Sequence, residues 1–167
     1  MRGEGWRVGR YGGTGGGGGR GKKKSARQLE RAIRKVHKFL RKGGVSDKGT
    51  LMGGGGVRTA DDIAKAIAVG ADGCVLGTTD LVGMGCTRCS NCEGGPSGRG
   101  CPWGLTTTDV ELQELVDQDW GSKRLNNLYA AMQWRLRDVL RKLGLSSVKE
   151  LRGRTDLLKY IHKEAAK

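Results

Sequence analysis

Four of the five cysteines, Cys86, Cys89, Cys92 and Cys101, fall inside one 16-residue window. The window reads Cys86-Thr87-Arg88-Cys89-Ser90-Asn91-Cys92, then eight residues, then Cys101-Pro102-Trp103. Thiolates two residues apart on a turning backbone can share one metal centre. A C-x2-C-x2-C run followed by a distant Cys-Pro is of the kind that ligates iron–sulfur clusters, and Gly94, Gly95, Gly98 and Gly100 let such a loop fold closely. Taken by themselves, the same four residues would also suit a tetrahedral zinc ion or remain free thiols. Crowding of this sort in an otherwise cysteine-poor chain argues for metal binding over a disulfide framework. Cys74 stands apart, on a predicted buried strand, and reads as core.

A second constellation is made of glycines. Leu51-Met52 runs into Gly53-Gly54-Gly55-Gly56, and Cys74-Val75-Leu76 runs into Gly77-Thr78. A glycine turn between a strand end and a helix start bares backbone N–H groups, and the helix dipole adds positive potential, so a phosphate suits it. In (β/α)8 barrels a phosphate site often forms from the loops after strands seven and eight. Two ordinary tight βα turns would look the same. Candidate binding residues are Gly54, Gly55, Gly56, Gly77 and Thr78.

The elements that must position these residues follow from periodicity. Leu29, Ala32, Ile33, Val36, Phe39 and Leu40 recur at helical spacing between Ser25 and Lys42, and Gly43-Gly44 ends that helix. Thr59 and Asp62 have capping-box spacing ahead of Ile63, Ala66, Ile67 and Val69, and Gly70 stops the helix. Gly73 to Leu76 reads as a second buried strand. Strand, glycine turn, helix, strand is a β-α-β unit and implies a parallel sheet. Helices follow: Ser122 to Leu143, a capping box at Ser147 and Glu150, and a last helix from Asp156 with Leu157, Leu158 and Ile161. Asp109, Glu111 and Glu114 open a helix and favour its dipole rather than catalysis. His37 and His162 read as surface residues. The chain thus divides into residues 1–24, Gly- and Arg-rich and expected to be flexible, residues 25–107 with the glycine and cysteine loops, and a helical extension, 108–167.

Net charge is +14, but residues 1–48 hold 15 Lys/Arg against 3 Asp/Glu and so carry +12 of it. A basic arm can serve nucleic acid. Here no aromatic residue interleaves with the charges between Arg20 and Lys38, so a solvated tail and a cationic helix face are the reading and nucleic-acid binding is not expected. No signal-peptide stretch and no apolar run of bilayer length is present, so a cytoplasmic location without a membrane anchor is expected.

The motifs also appear together in a recognisable order. Gly55-Gly56-Val57-Arg58-Thr59, Ala71-Asp72-Gly73 through Leu76-Gly77-Thr78, Met84-Gly85-Cys86, Cys101-Pro102-Trp103-Gly104 and Leu151 to Leu158 resemble the C-terminal part of the FMN-binding domain of glutamate synthase. Tyr11 to Gly15 looks like the turn after that family's sixth strand. The resemblance covers roughly residues 45–160 well and 11–44 loosely, and its Met-Gly-Cys…Cys-Pro block is its most specific part. It implies an α/β fold, the last strands of a partial TIM (β/α)8 barrel, followed by C-terminal helices. It implies FMN, its phosphate held by Gly55, Gly56, Gly77 and Thr78, and a [3Fe–4S] cluster on Cys86, Cys92 and Cys101. The family's usual spacing is C-x5-C-x4-C; here the second gap is eight residues, and Cys89 adds a thiol that would permit [4Fe–4S]. The implied reaction is reductive amination of 2-oxoglutarate to L-glutamate with nitrogen from L-glutamine. Electrons would come from ferredoxin or an NAD(P)H-linked partner. A complete barrel needs about 250 residues, so a fragment or split subunit is expected, with the remaining barrel and the amidotransferase segment elsewhere. Two rival readings are a small Fe–S or zinc module with a nucleic-acid-binding arm, and another FMN-dependent barrel dehydrogenase.

Overall fold

The structure, a computed structural model, describes residues 4–9, 26–92, 94 and 97–159. The chain is α/β. Three strands, β1 (Glu4–Gly9), β2 (Gly49–Gly54) and β3 (Gly73–Val75), form a parallel sheet in the order β1-β2-β3. Helices α1 (Ala26–Lys42) and α2 (Ala60–Ala68) lie between consecutive strands in the chain. Register places Trp6 beside Leu51 and Gly9 beside Gly54 in one ladder, and Gly54 beside Val75 in the other. Beyond β3 come α3 (Thr78–Gly83), the cysteine loop, α4 (Val110–Gln113), α5 (Gln118–Lys142), α6 (Val148–Leu151) and a 3-10 turn at Thr155–Leu157.

Composition misjudges β1. Glu4–Gly9 lies within the segment expected to be flexible, yet it pairs along its whole length with β2. The ladder is a main-chain interaction, and it satisfies an edge of β2 that would otherwise need water. Residues 10–25 lie outside the described residues, and with them the Tyr11 to Gly15 turn.

Local chemistry explains the other boundaries. Thr59 and Asp62 form the expected reciprocal cap of α2, and the turn closes at Gly70 with φ +121°. Helix α5 begins four residues earlier than its apolar periodicity suggests, because Asp117 accepts from the Trp120 N–H at 2.9 Å and caps it there. Ser147 accepts from the Glu150 N–H, but α6 lasts a single turn. The helix expected from Asp156 is instead the 3-10 turn, since Leu158 is already extended (φ −94°, ψ 120°). Ile161 and His162 lie outside the described residues.

Two apolar clusters hold the layers together. Leu29, Ile33 and Leu40 of α1 meet Leu51 of β2 with Ala66, Val69 and Ala71. On the other side of α2, Ala64, Ile67 and Ala68 meet Leu140 of α5 and Leu151 of α6. Asp61 and Arg135 add an ion pair between α2 and α5 at 2.9 Å. Cys74 packs against the first cluster but is only half-buried, because β3 is an edge strand. Burial still pushes its thiol up to about 11.

Two residues of α1 depart from the expected pattern. Phe39 is 74% exposed and His37 is buried at 8%. At 3.6 residues per turn they flank the Leu29-Ile33-Leu40 stripe, His37 about 60° from its centre on one side and Phe39 about 100° on the other. Among the described residues only the His37 side is covered. There the imidazole lies against Gly70 and Gly153: a Cβ on Gly70 would sit 2.3 Å from its Cγ, and one on Gly153 would sit 2.9 Å from its Nε2.

Arg152 locks this corner. Its Nε lies 3.0 Å from Asp72 Oδ1 and its guanidinium donates to the carbonyls of Gly70 and Ser46. Asp72 in turn accepts from the Leu51 N–H at 2.7 Å. The C-terminal segment is thereby tied to β2 and to the turn after α2.

Gly70 joins a left-handed backbone to a close side-chain contact, and the two can be separated. Gly70→Ala is expected to lower unfolding free energy by about 2–4 kcal/mol, from overpacking and from the backbone. In a His37→Gly background, which removes both the ring and the Cβ that would otherwise lie 2.5 Å away, the same change should cost only about 1 kcal/mol. Urea titration of the four proteins measures the difference.

Candidate functional site

Parallel strands put their carboxyl ends on one edge of a sheet. Gly54 and Val75 are register partners, so the β2–α2 and β3–α3 loops leave that edge side by side. Gly55 (φ +96°) and Gly56 (φ +79°) are consecutive left-handed residues, a conformation that side-chain-bearing residues rarely adopt. Gly77 stands before α3 with no side-chain cap. The two loops are joined directly: the Thr79 hydroxyl donates to the Val57 carbonyl. Periodicity and motif spacing both overlooked Thr79; its only sequence signal is a second threonine in the first turn of α3.

The donors in these loops are unequally committed. The Asp62 carboxylate accepts from the N–H groups of Arg58 and Thr59, each at 3.1 Å. The N–H groups of Gly55, Gly56, Gly77 and Thr78 have no acceptor among the described residues. Gly56, Gly77 and Thr78 are exposed and Gly55 is half-buried. The sequence-predicted glycines therefore come together as two adjoining loops with unsatisfied, accessible donors, and this fits a phosphate. Cavities of about 250 Å³ lie elsewhere, one beside α1 and one between α2 and α5. The glycine edge itself is an open surface.

Helix α3 leads from this edge to the cysteine loop. The Cys86 N–H donates to the Leu81 carbonyl at 2.9 Å, so the loop starts directly off the helix end. Polar side chains then draw the cysteine segments toward one another. Trp103 Nε1 donates to Thr87 Oγ1 at 2.9 Å, linking the residue after Cys86 to the second residue after Cys101. Thr106 Oγ1 donates to the Cys92 carbonyl at 3.3 Å. The Gly100 N–H donates to the Gly94 carbonyl at 2.9 Å, closing the loop between Cys92 and Cys101. Arg99 braces the far end through Asp109, whose carboxyl it holds down at about 2, and through Glu111.

The thiols themselves differ. Cys101 is buried, Cys86 and Cys92 are half-buried, and Cys89 is exposed. Burial alone would raise the Cys101 thiol. The backbone N–H groups of Trp103, Leu105 and Thr106 outweigh it and hold the group below the usual thiol range. A sulfur so surrounded favours the thiolate that a metal requires. Cys89 sits between Arg88 (φ +59°) and Ser90 (φ +67°), both left-handed without being glycine, and the Arg88 N–H points at Cys86 Sγ from 3.3 Å. Among the described residues no group of three or more Cys, His, Asp or Glu side chains is gathered closely enough to hold a metal ion. The loop brings the cysteine-bearing backbone segments together; it does not bring the sulfurs into one coordination sphere. Trp103 is half-exposed and serves the Thr87 bond rather than the core.

No helix among the described residues is long and apolar enough to cross a membrane. Residues 8–146 match a family model described as the conserved region in glutamate synthase. The archaeal-type glutamate synthase (NADPH) of Dehalococcoides mccartyi is 34% identical over 145 residues, 87% of this chain and 28% of that protein. The archaeal glutamate synthase (NADPH) of Archaeoglobus fulgidus is 34% identical over 151 residues, 90% of this chain and 29% of that protein. The glutamate synthase (NADPH) large chain of Azospirillum brasilense is 30% identical over 158 residues, 94% of this chain and 10% of that protein. The chain spans less than a third of the length of these relatives. With the family model matched over most of its length, the chain belongs to the glutamate synthase family.

Proposed function

We propose that this chain is the phosphate-gripping and cluster-bearing end of a glutamate synthase barrel, a piece of an oxidoreductase rather than a whole one. The observation that carries the reading is the joining of two glycine loops at one sheet edge by Thr79, with α3 leading straight from them to Cys86. In this reading β1, β2 and β3 are consecutive strands of a (β/α)8 barrel. The rest of the barrel and an amidotransferase segment belong to other parts of the enzyme.

The residues would work as follows. The N–H groups of Gly55, Gly56 and Gly77 and the Thr78 hydroxyl bind the phosphate of FMN. Thr79 fixes the spacing between the two loops, so the phosphate meets both at once. Cys86, Cys92 and Cys101 hold a [3Fe–4S] cluster. Amides around Cys101 favour the anionic form of its sulfur. Cys89, exposed beside Cys86, is the residue whose recruitment would convert the site to [4Fe–4S]. When bound, these groups supply electron transfer from ferredoxin or an NAD(P)H-linked partner and hydride delivery to the imine formed from 2-oxoglutarate and glutamine-derived ammonia.

Riboflavin differs from FMN only by lacking the phosphate. The chain should bind FMN at least tenfold more tightly, read by flavin fluorescence quenching, and Gly56→Val should erase the difference. Equal affinity of the unaltered chain for the two flavins would refute the phosphate role.

Thr79→Val removes the bond between the loops while keeping the side chain's shape. A roughly fivefold loss of FMN affinity is expected, about the strength of one hydrogen bond, with recovery in Thr79→Ser.

Anaerobic reconstitution with iron and sulfide tests the thiols. Cys86→Ser, Cys92→Ser and Cys101→Ser should each abolish the brown chromophore, while Cys89→Ser should retain it. A colourless protein that retains zinc instead would turn the reading toward a zinc module.

A further inference from the structure

One side chain joins three segments that are far apart in the chain. The His37 ring of α1 lies against Gly70, in the turn after α2, and against Gly153, in the loop after α6. A Cβ on Gly70 would fall 2.3 Å from its Cγ, and one on Gly153 would fall 2.9 Å from its Nε2. Both glycines are left-handed, at φ +121° and +78°, so two backbones close on the ring where a side chain would clash. The bonds that hold this corner surround the same ring. The Gly153 N–H donates to the Ile67 carbonyl at 3.0 Å, and Arg152 beside it pairs with Asp72 and donates to the Gly70 carbonyl.

The seat suits a neutral ring. His37 is 8% exposed, and its Nδ1 is the one buried side-chain nitrogen or oxygen among the described residues without a hydrogen-bond partner. A charged imidazole carries a hydrogen on both nitrogens. Protonation would therefore leave a buried N–H at Nδ1 with no acceptor, and such a donor bears its full desolvation cost. The surrounding charges act in the same direction. Arg34, Lys38 and Arg41 of α1 border the cavity that the ring also borders. Arg152 approaches from the C-terminal loop, and the two acids of the corner, Asp72 and Asp47, lie 3.0 and 3.7 Å from it. Burial first, then Arg152 and Arg41, hold the imidazole below the usual histidine range, and Asp72 and Asp47 oppose this without overcoming it.

We propose that His37 is a proton-sensitive latch, seated while neutral and expelled on protonation, so that mild acid opens the corner of Gly70, Arg152 and Gly153 while α5 stays folded. Opening exposes the ring, which then takes a proton with the ordinary histidine affinity. The open form thus binds a proton that the closed form refuses. Closure is complete above the ordinary histidine range and is lost as pH falls through that range and below it. The opening reaches β2, because the Leu51 N–H donates to Asp72, the partner of Arg152. The assignment does not depend on the flavin reading.

Amide hydrogen exchange of the 167-residue chain, corrected for the intrinsic pH dependence of exchange, tests it between about pH 8 and about pH 5. Opening at the Gly153 and Leu51 amides should become about threefold or more frequent in acid. The amides of Met132 and Leu136, inside α5, should keep their opening frequency. His37→Gln, which keeps a neutral polar side chain at every pH in this range, should remove the acid response at Gly153 and Leu51. The unaltered chain gives a second measurement that needs no variant to fold: the ring 15N signals of His37 should titrate below the ordinary histidine range. The proposal is overturned if opening at Gly153 does not change with pH, or if the α5 amides accelerate as much as Gly153. It is equally overturned if the acid response persists in His37→Gln, which would make a carboxylate its source, or if His37 titrates at or above the ordinary value.

Discussion

The register of β2 against β3 is the constraint from which the rest of the site follows. With Gly54 opposite Val75, the chain must turn away from both strands at the same level. Only then can the Thr79 hydroxyl reach the Val57 carbonyl and tie the two turns together. A slip of one residue would put opposite faces of β3 toward the core and separate the glycine loops. Register is held from below by the C-terminal segment: Arg152 pairs with Asp72, and Asp72 accepts from the Leu51 N–H in the middle of β2. A loop more than eighty residues downstream thus helps to set the alignment of two short strands.

Much of this was legible in the sequence, and the reason is local. Glycine at helix ends, the Thr59–Asp62 cap and the apolar spacing of α1 and α2 are each decided within a few residues of the chain. The glycine pattern placed the first turn because its consecutive left-handed residues, Gly55 and Gly56, demand it. What could not be read is what depends on distant partners. Whether His37 or Phe39 turns inward is set by Gly153, which covers one flank of α1 and not the other. Strand β1 hides in a basic, glycine-rich segment because its partner is the main chain of β2. Thr79 is one of two neighbouring threonines, and only the fold shows which one joins the loops.

The cysteine window divides along the same line. Residue types and spacing raise the expectation of metal chemistry, while the structure shows amides that hold the Cys101 thiol below its usual range. The sequence could not show that threonine and tryptophan side chains, rather than sulfur, organise the loop. Nor could it show that Cys89 lies between two left-handed residues at the surface, apart from the better-buried thiols.

That organisation bears on what the loop's shape rests on. In a zinc finger the ion is the scaffold, and the peptide is unfolded without it. Here the Trp103–Thr87 and Thr106–Cys92 bonds, with the Arg99 brace, give the loop its course. Its shape therefore rests on oxygen and nitrogen partners rather than on sulfur, and oxidation of Cys89, the exposed thiol, would change the loop's chemistry before its course.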